Sequence, residues 1–138
     1  MSTIQVDIVS AVESLYSGEA LHVSVPGDQG ELGIHPGHMA LLSTLKPGEV
    51  RVETGNGLES IYVSGGLVEV QPGVVTVFSD TAIRAHDLDE SKALEAKQRA
   101  EEAMSKAESD QDISSTQAAL ADAMAQLQLI SKLRNKKG

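Results

Sequence analysis

Four groupings in the sequence are of kinds that could carry chemistry. His35 and His38 give a His-x-x-His spacing, which can hold a divalent metal when a third ligand joins. They flank Pro36-Gly37 in a loop, with no Glu between them and no evident third ligand. Solvated turn histidines, or one used in a partner contact, are therefore expected, and no metal site. Gly27, Gly30 and Gly33 recur every third residue, but the dinucleotide fingerprint needs other spacing and a helix behind it. Ser64-Gly65-Gly66 lacks the nucleophile-elbow pattern and reads as a turn. Glu101-Glu102 lies on a polar helix face and reads as solvated charge. The expectation is no catalytic residue, no required cofactor, and a chain that is not an enzyme by itself.

The elements that position these residues follow from composition. The chain has 138 residues, a formal net charge of −9 and 41% apolar residues, near the globular average. A net negative chain is a poor candidate for nucleic acid or for anionic lipid. Without cysteine there is no disulfide, thiolate zinc site or Cys nucleophile. No run reaches the ~18 apolar residues that suggest a membrane span. Met1 to Ser10 lacks the pattern of a signal peptide, so a cytoplasmic protein is expected.

Composition breaks near residue 84. All 13 valines lie between Val6 and Val77 and all four prolines between Pro26 and Pro72. Alanine does the reverse, with 4 up to Arg84 and 11 from Ala85 onward. β-branched residues with Gly/Pro punctuation favour strands and turns, whereas alanine without either favours helix. The expected fold is α+β: an N-terminal antiparallel β-sandwich over 1–84, then a C-terminal antiparallel two-helix hairpin over 85–138.

In the first part Ile4/Val6/Ile8, Leu21/Val23/Val25, Val50/Val52, Ile61/Val63 and Val68/Val70 alternate with other residues, the mark of half-buried strands. Turns are expected at Pro26-Gly27, Pro36-Gly37, Pro47-Gly48, Asn56-Gly57, Gly65-Gly66 and Pro72-Gly73. In the second part Asp87 with Glu90 resembles a capping box, opening a helix to about Ala107. Asp112 or Ser114 then caps a second helix reaching about Leu133. Ala93, Ala96, Ala100, Ala103 and Ala107 form one seam; Leu120, Ala123, Leu127 and Ile130 form the other. Alanine buries little area, at ~0.8 kcal/mol per CH₂, so this hairpin should hold weakly. The broad apolar surface of the second helix, with Met124, Leu129 and Leu133, asks for another surface.

Charge is sorted along the chain. Residues 1–84 carry a net −7, residues 85–131 a net −6, and the last seven a net +4 from Lys132, Arg134, Lys136 and Lys137. Such cations either complement a helix dipole or form a basic tip for an acidic partner.

The loops carry a resemblance. Gly30-Glu31-Leu32-Gly33-Ile34-His35-Pro36-Gly37-His38 precedes Leu41-Leu42 and Lys46-Pro47-Gly48. Tyr62-Val63-Ser64-Gly65-Gly66, Glu69-Val70-Gln71-Pro72-Gly73 and Ser79-Asp80-Thr81-Ala82-Ile83-Arg84 follow. In this order, ahead of a two-helix tail, the set resembles the epsilon subunits of bacterial F-type ATP synthases over essentially the whole chain. That resemblance implies a non-catalytic rotor component, peripheral on the cytoplasmic face of the bacterial inner membrane and touching the membrane only through its complex. It would couple rotation of the c-ring, driven by protons, to ATP synthesis. By position Asp28 and Glu31 would approach the c-ring, while His38, Ser43, Ser64 and Glu69 would face the gamma subunit.

The resemblance also implies that the helical tail restrains ATP hydrolysis by extending toward the alpha and beta subunits. Lys132, Arg134, Lys136 and Lys137 would then meet acidic segments of beta. Some members bind regulatory ATP through a hydrophobic-Asp-x-x-Arg-Ala stretch, matched here by Leu88, Asp89, Lys92 and Ala93. Lys92 keeps the charge of that arginine but lacks its planar fork. The same residues also read as ordinary helix electrostatics. A free-standing β-sandwich that binds a small ligand, or serves as an adaptor, is the alternative reading.

Overall fold

A computed structural model of the chain describes the backbone of residues 2–137 and the side chains of residues 2–135. It divides into two compact units, 1–85 and 86–138. In the first unit lie β1 (Ile4–Val9), β2 (Ser14–Ala20), β3 (His22–Gly27), β4 (Gly30–Ile34), β5 (Leu41–Thr54), β6 (Gly57–Gln71), β7 (Val74–Phe78) and β8 (Ala82–Arg84). Hydrogen bonding joins them in the order β2-β1-β7-β6-β5-β3-β4, with β8 on β6. All pairs are antiparallel except β1 with β7, which run parallel.

The expected alternation is present. Ile4, Val6 and Ile8 are buried while Gln5 and Asp7 are half-buried, and Val23, Val25, Val75 and Val77 join the same core. Two of the expected turns are absent. β5 runs straight through Pro47-Gly48, and β6 through Gly65-Gly66, each as one strand of 14 or 15 residues. What happens there is a bend. In β6 the core-facing positions change from odd (Ile61, Val63) to even (Val68, Val70) across Gly65-Gly66. In β5 they change from Leu45 to Val50 and Val52 across Pro47-Gly48. The paired strands thus fold over together, and one sheet supplies both layers of the sandwich.

Only glycine fits this bend. Gly65 and Gly66 have φ of +106° and +132°. A Cβ on Gly66 would lie 1.9 Å from the Phe78 carbonyl oxygen. Pro26-Gly27 closes β3 and the turn follows it at Asp28-Gln29; Pro36-Gly37 lies between β4 and β5, Asn56 between β5 and β6, and Pro72-Gly73 at the β6–β7 turn.

In the second unit a short 3₁₀ turn (Ala85–Asp87) leads to α1 (Glu90–Ser105) and α2 (Asp110–Lys137). The first cap is not Asp87 but Asp89, whose side chain accepts from the Lys92 amide, because Asp87 is taken up in the 3₁₀ turn. The second helix starts earlier than expected: Ser109 Oγ accepts from the Asp112 amide at 3.1 Å, satisfying an orphan donor from a position three residues before Asp112 and five before Ser114. Ala93, Ala100, Ala123 and Leu129 are buried. Ala103, expected on the seam, is exposed, and α1 ends at Ser105 before Ala107. There the helices leave a cleft of about 480 Å³ lined by Ala96, Ala103, Ser115 and Ala119, because alanine is too short to close it.

The bend gives the first prediction. Gly66→Ala should lower unfolding stability by about 3 kcal/mol or more, from backbone strain plus collision with Phe78. Gly55→Ala, where nothing lies within 4 Å of the new Cβ, should change it by about 0.5 kcal/mol or less. Chemical denaturation of the two variants measures both.

Candidate functional site

Residues opposite one another on neighbouring strands share a face, so strand register lays out the outer surface of the β1–β7–β6–β5 layer. One row runs Thr44, Leu67, Phe78, Val9; the next runs Leu42, Glu69, Thr76, Asp7. Three large apolar side chains stand out of these two rows: Leu42 is 66% exposed, Phe78 47% and Leu67 42%. Exposed Met39 lies two residues before β5 begins. Single exposed apolar residues need no explanation, but a set on adjoining strands marks a face that is covered in use.

Beside that face, at the bend, lies a cleft of about 350 Å³. Val9, Ala11, Leu67 and Phe78 give it apolar walls, and Ser10, Ser64, Ser79 and Asp80 line it too. Its hydroxyls are engaged within the fold. Ser10 Oγ donates to the Glu13 carbonyl at 3.2 Å and accepts from the amides of Val12 and Glu13. Ser79 Oγ donates to the Thr81 carbonyl at 2.9 Å and accepts from the Ser64 amide. With that one proton used, Ser64 Oγ is the donor to Ser79 Oγ at 3.3 Å, and it accepts from the Thr81 amide.

The four residues expected to face gamma do not share one surface. Glu69 stands in the apolar rows, and Ser64 lines the cleft at their end. Ser43 sits opposite Val68, on the core side of β5, and its Oγ donates to the Thr44 carbonyl. His38 lies in the β4–β5 loop, where its Nδ1 donates to the Met39 carbonyl at 2.7 Å. Leu42, Leu67 and Phe78 were missed by sequence reasoning. Their signal was available, as apolar residues at the outward positions of alternating strands.

Asp28 and Glu31 belong to the tight β3–β4 hairpin, where Gly27 pairs with Gly30. A Cβ on Gly27 would come within 2.8 Å of the Gly30 carbonyl, so the close approach requires glycine. Asp28 is exposed; Glu31 is paired with Arg51, which also reaches Glu49 at 3.4 Å. The Glu31 and Glu49 carboxylates raise the Arg51 pKa above its ordinary value, the Glu31 hydrogen bond being the larger cause and partial burial opposing it. His35 is not drawn toward His38. Its ring lies 5.1 Å from that of His22, which is itself paired with Glu53. Among the described residues no three His, Asp or Glu side chains are gathered to hold a metal.

In the hairpin Leu88 is half-buried, Ala93 buried and Lys92 exposed. The Asp89 carboxylate is occupied as the cap of α1, accepting from the Lys92 amide at 3.3 Å. Arg134 is paired with Glu90, tying the far end of α2 to the start of α1. Lys132 is exposed and also engaged, while the side chains of Lys136 and Lys137 lie outside the described residues.

The cap yields a second prediction. Asp89→Ala should weaken the start of α1 by about 1 kcal/mol. Faster amide exchange confined to the first turn after Asp89, with the sandwich amides unchanged, is the expected reading.

The comparisons with known proteins agree with this layout. The beta-sandwich domain of the ATP synthase Delta/Epsilon chain matches residues 3–85, and the long alpha-helix domain of that chain matches residues 86–131. An ATP synthase epsilon chain of Vesicomyosocius okutanii is 70% identical over 99% of either chain, and one of Ruthia magnifica is 69% identical over the same share. A chain in the structure of Euglena gracilis mitochondrial ATP synthase superposes with a TM-score of 0.78 at 22% identity, covering 91% of this chain and 79% of that one. At such identity the likeness speaks for the fold. With both halves matched in order and relatives similar along its length, the chain belongs to the ATP synthase Delta/Epsilon family, as a non-catalytic stalk subunit of that enzyme.

Proposed function

We propose that the sandwich grips the gamma subunit and the c-ring, so that proton-driven rotation reaches the catalytic head, and that the hairpin restrains ATP hydrolysis. The observation that carries this reading is the outward apolar face of Leu42, Leu67 and Phe78, contiguous with Glu69 and with the cleft at Ser64. A partner that turns with the sandwich must hold it without slipping, and an apolar face with charged residues among its rows supports such a grip. The short β3–β4 hairpin, bearing Asp28 and Glu31, is the element offered to the c-ring. On this reading the chain is attached through its complex, on the cytoplasmic face of the bacterial inner membrane; among the described residues no helix is long and apolar enough to cross a membrane.

The hairpin has the properties an inhibitory arm needs. Its described buried side chains are mostly alanines, and the Arg134–Glu90 pair at its open end is exposed. An exposed ion pair stabilises by about 0–1 kcal/mol, so a partner rich in acidic groups can compete for Arg134. Lys132, Lys136 and Lys137 would add to that contact with the beta subunits. The Leu88, Asp89, Lys92 and Ala93 stretch serves as a helix cap, with the Asp89 carboxylate accepting from the Lys92 amide. A regulatory ATP is not needed to account for it.

The test compares ATP hydrolysis by one rotary complex assembled with the full chain and with a chain ending at Ala85. Hydrolysis should run several-fold faster with the shorter chain, while ATP-driven proton pumping per ATP stays the same. Equal hydrolysis rates would remove the restraint from the hairpin. Loss of gamma binding by both chains would remove the docking reading.

A further inference from the structure

The cleft at the bend has a chemistry that the docking reading does not use. Its walls are apolar on one side, with Leu67 and Phe78 standing exposed beside it. Its serine hydroxyls are turned inward to backbone and to each other, so they offer an incoming group little beyond what they already bind. Asp80 is the exception. It is exposed, it lines the cleft, and no cation pairs with it among the described residues.

The surroundings sharpen that vacancy in charge. The sandwich has three cations against ten carboxylates. Arg51 is held by Glu31 and Glu49, and Arg84 donates to the Leu15 carbonyl at 3.1 Å. Lys46, the third, is exposed on β5 and does not line the cleft. The cleft therefore combines an aliphatic wall, an aromatic ring and one uncompensated carboxylate within an acidic unit. A side chain with a long apolar stem and a cationic head matches all three at once: stem on Leu67, cation over or beside the Phe78 ring, charge on Asp80.

We infer that the cleft between Phe78 and Asp80 is a socket for a lysine or arginine side chain of the gamma subunit. This rests on the proposed docking of gamma against the Leu42–Leu67–Phe78 face, and it adds a residue-specific anchor at one end of that face. Apolar contact is non-directional and sets affinity; one seated cation fixes where along the face the partner stops.

The experiment titrates the full-length chain onto a rotary complex of alpha, beta and gamma lacking this subunit, at low and at high ionic strength. Asp80→Asn should weaken binding about tenfold at low salt and flatten its salt dependence. Asp80→Lys should weaken it further and Asp80→Glu should retain most of it. Glu59→Gln removes an equal charge from an exposed strand position away from the cleft and should change little. Phe78→Glu, at an exposed position, should abolish tight binding by placing charge in the apolar face. If Phe78→Glu weakens binding while Asp80→Asn and Asp80→Lys leave affinity and salt slope unchanged, the socket is wrong and the docking face stands. If Phe78→Glu binds like the parent chain, the docking face itself is wrong. If Glu59→Gln weakens binding as much as Asp80→Asn, the charge effect is diffuse steering and the socket is again overturned. Melting temperatures within the range of the parent chain show that each variant is folded.

Discussion

The approach of the Gly66 backbone to the Phe78 carbonyl is the contact on which the rest of the sandwich depends. β5 and β6 pair over 13 positions, far longer than the average strand pair. Left straight, that ribbon would present its core residues on two opposite faces, because Ile61 and Val63 are odd and Val68 and Val70 are even. Folding it over at Gly65-Gly66 and Pro47-Gly48 brings both sets to one interior. The Ser64 and Ser79 hydroxyls, bonded to each other and to the Thr81 backbone, bridge the same place, tying the bend to the segment that follows β7. The bend also creates the cleft and sets Leu67 and Phe78 outward, so the surface assigned to a partner is a by-product of the way the core is closed.

The two units differ in what holds them together. Among its described residues the sandwich buries 17 apolar side chains in one continuous cluster, nearly all of them larger than alanine. At ~1.5–3 kcal/mol for each large side chain removed from water, that cluster dwarfs any single surface interaction. Among its described residues the hairpin has buried Ala93 and Ala100 on α1, an alanine and a leucine among those buried on α2, the exposed Arg134–Glu90 ion pair and the Asp89 cap. Each of the last two contributes at most about 1–2 kcal/mol. Local opening follows the smallest local free energy, so the hairpin is the part that can rearrange while the sandwich stays closed.

Much of the fold was legible in the sequence. Alternation at Ile4/Val6/Ile8 and at Val68/Val70 marks strands because burial of one face is a local property of spacing. The bends were not legible. Pro47-Gly48 and Gly65-Gly66 carry the same residues as true turns such as Pro72-Gly73, and only the tertiary requirement that both strand halves share a core distinguishes them. The cap moved from Asp87 to Asp89 for a similar reason: both offer a carboxylate, and the choice depends on a 3₁₀ turn that no residue type announces. Site residues carried over by resemblance lie in different parts of the sandwich. Glu69 and Ser64 fall at the apolar face, whereas Ser43 has its position on the core side of β5, a distinction that needs the register. Leu42, Leu67 and Phe78 occupy outward positions of alternating strands, which the spacing carries, but that Leu67 and Phe78 adjoin in one row and Leu42 in the next needs the register.

On the proposed reading the division of labour follows from these magnitudes. A subunit that turns with a shaft carries load through its contacts, so its carrier must resist deformation more strongly than the contacts resist sliding. A closed two-layer sandwich meets that condition because its layers share strands: β5 and β6 belong to both, and separating the layers would mean unbending hydrogen-bonded ribbon as well as exposing core. An arm that senses the state of the head needs the opposite, a fold whose rival contacts are within a few kcal/mol of its own. Alanine-rich helices closed by the Arg134–Glu90 pair satisfy that, since the cation that closes the hairpin is among those offered to an acidic partner. Arg134 cannot serve both at once, which makes the folded hairpin and the extended contact mutually exclusive without any further device.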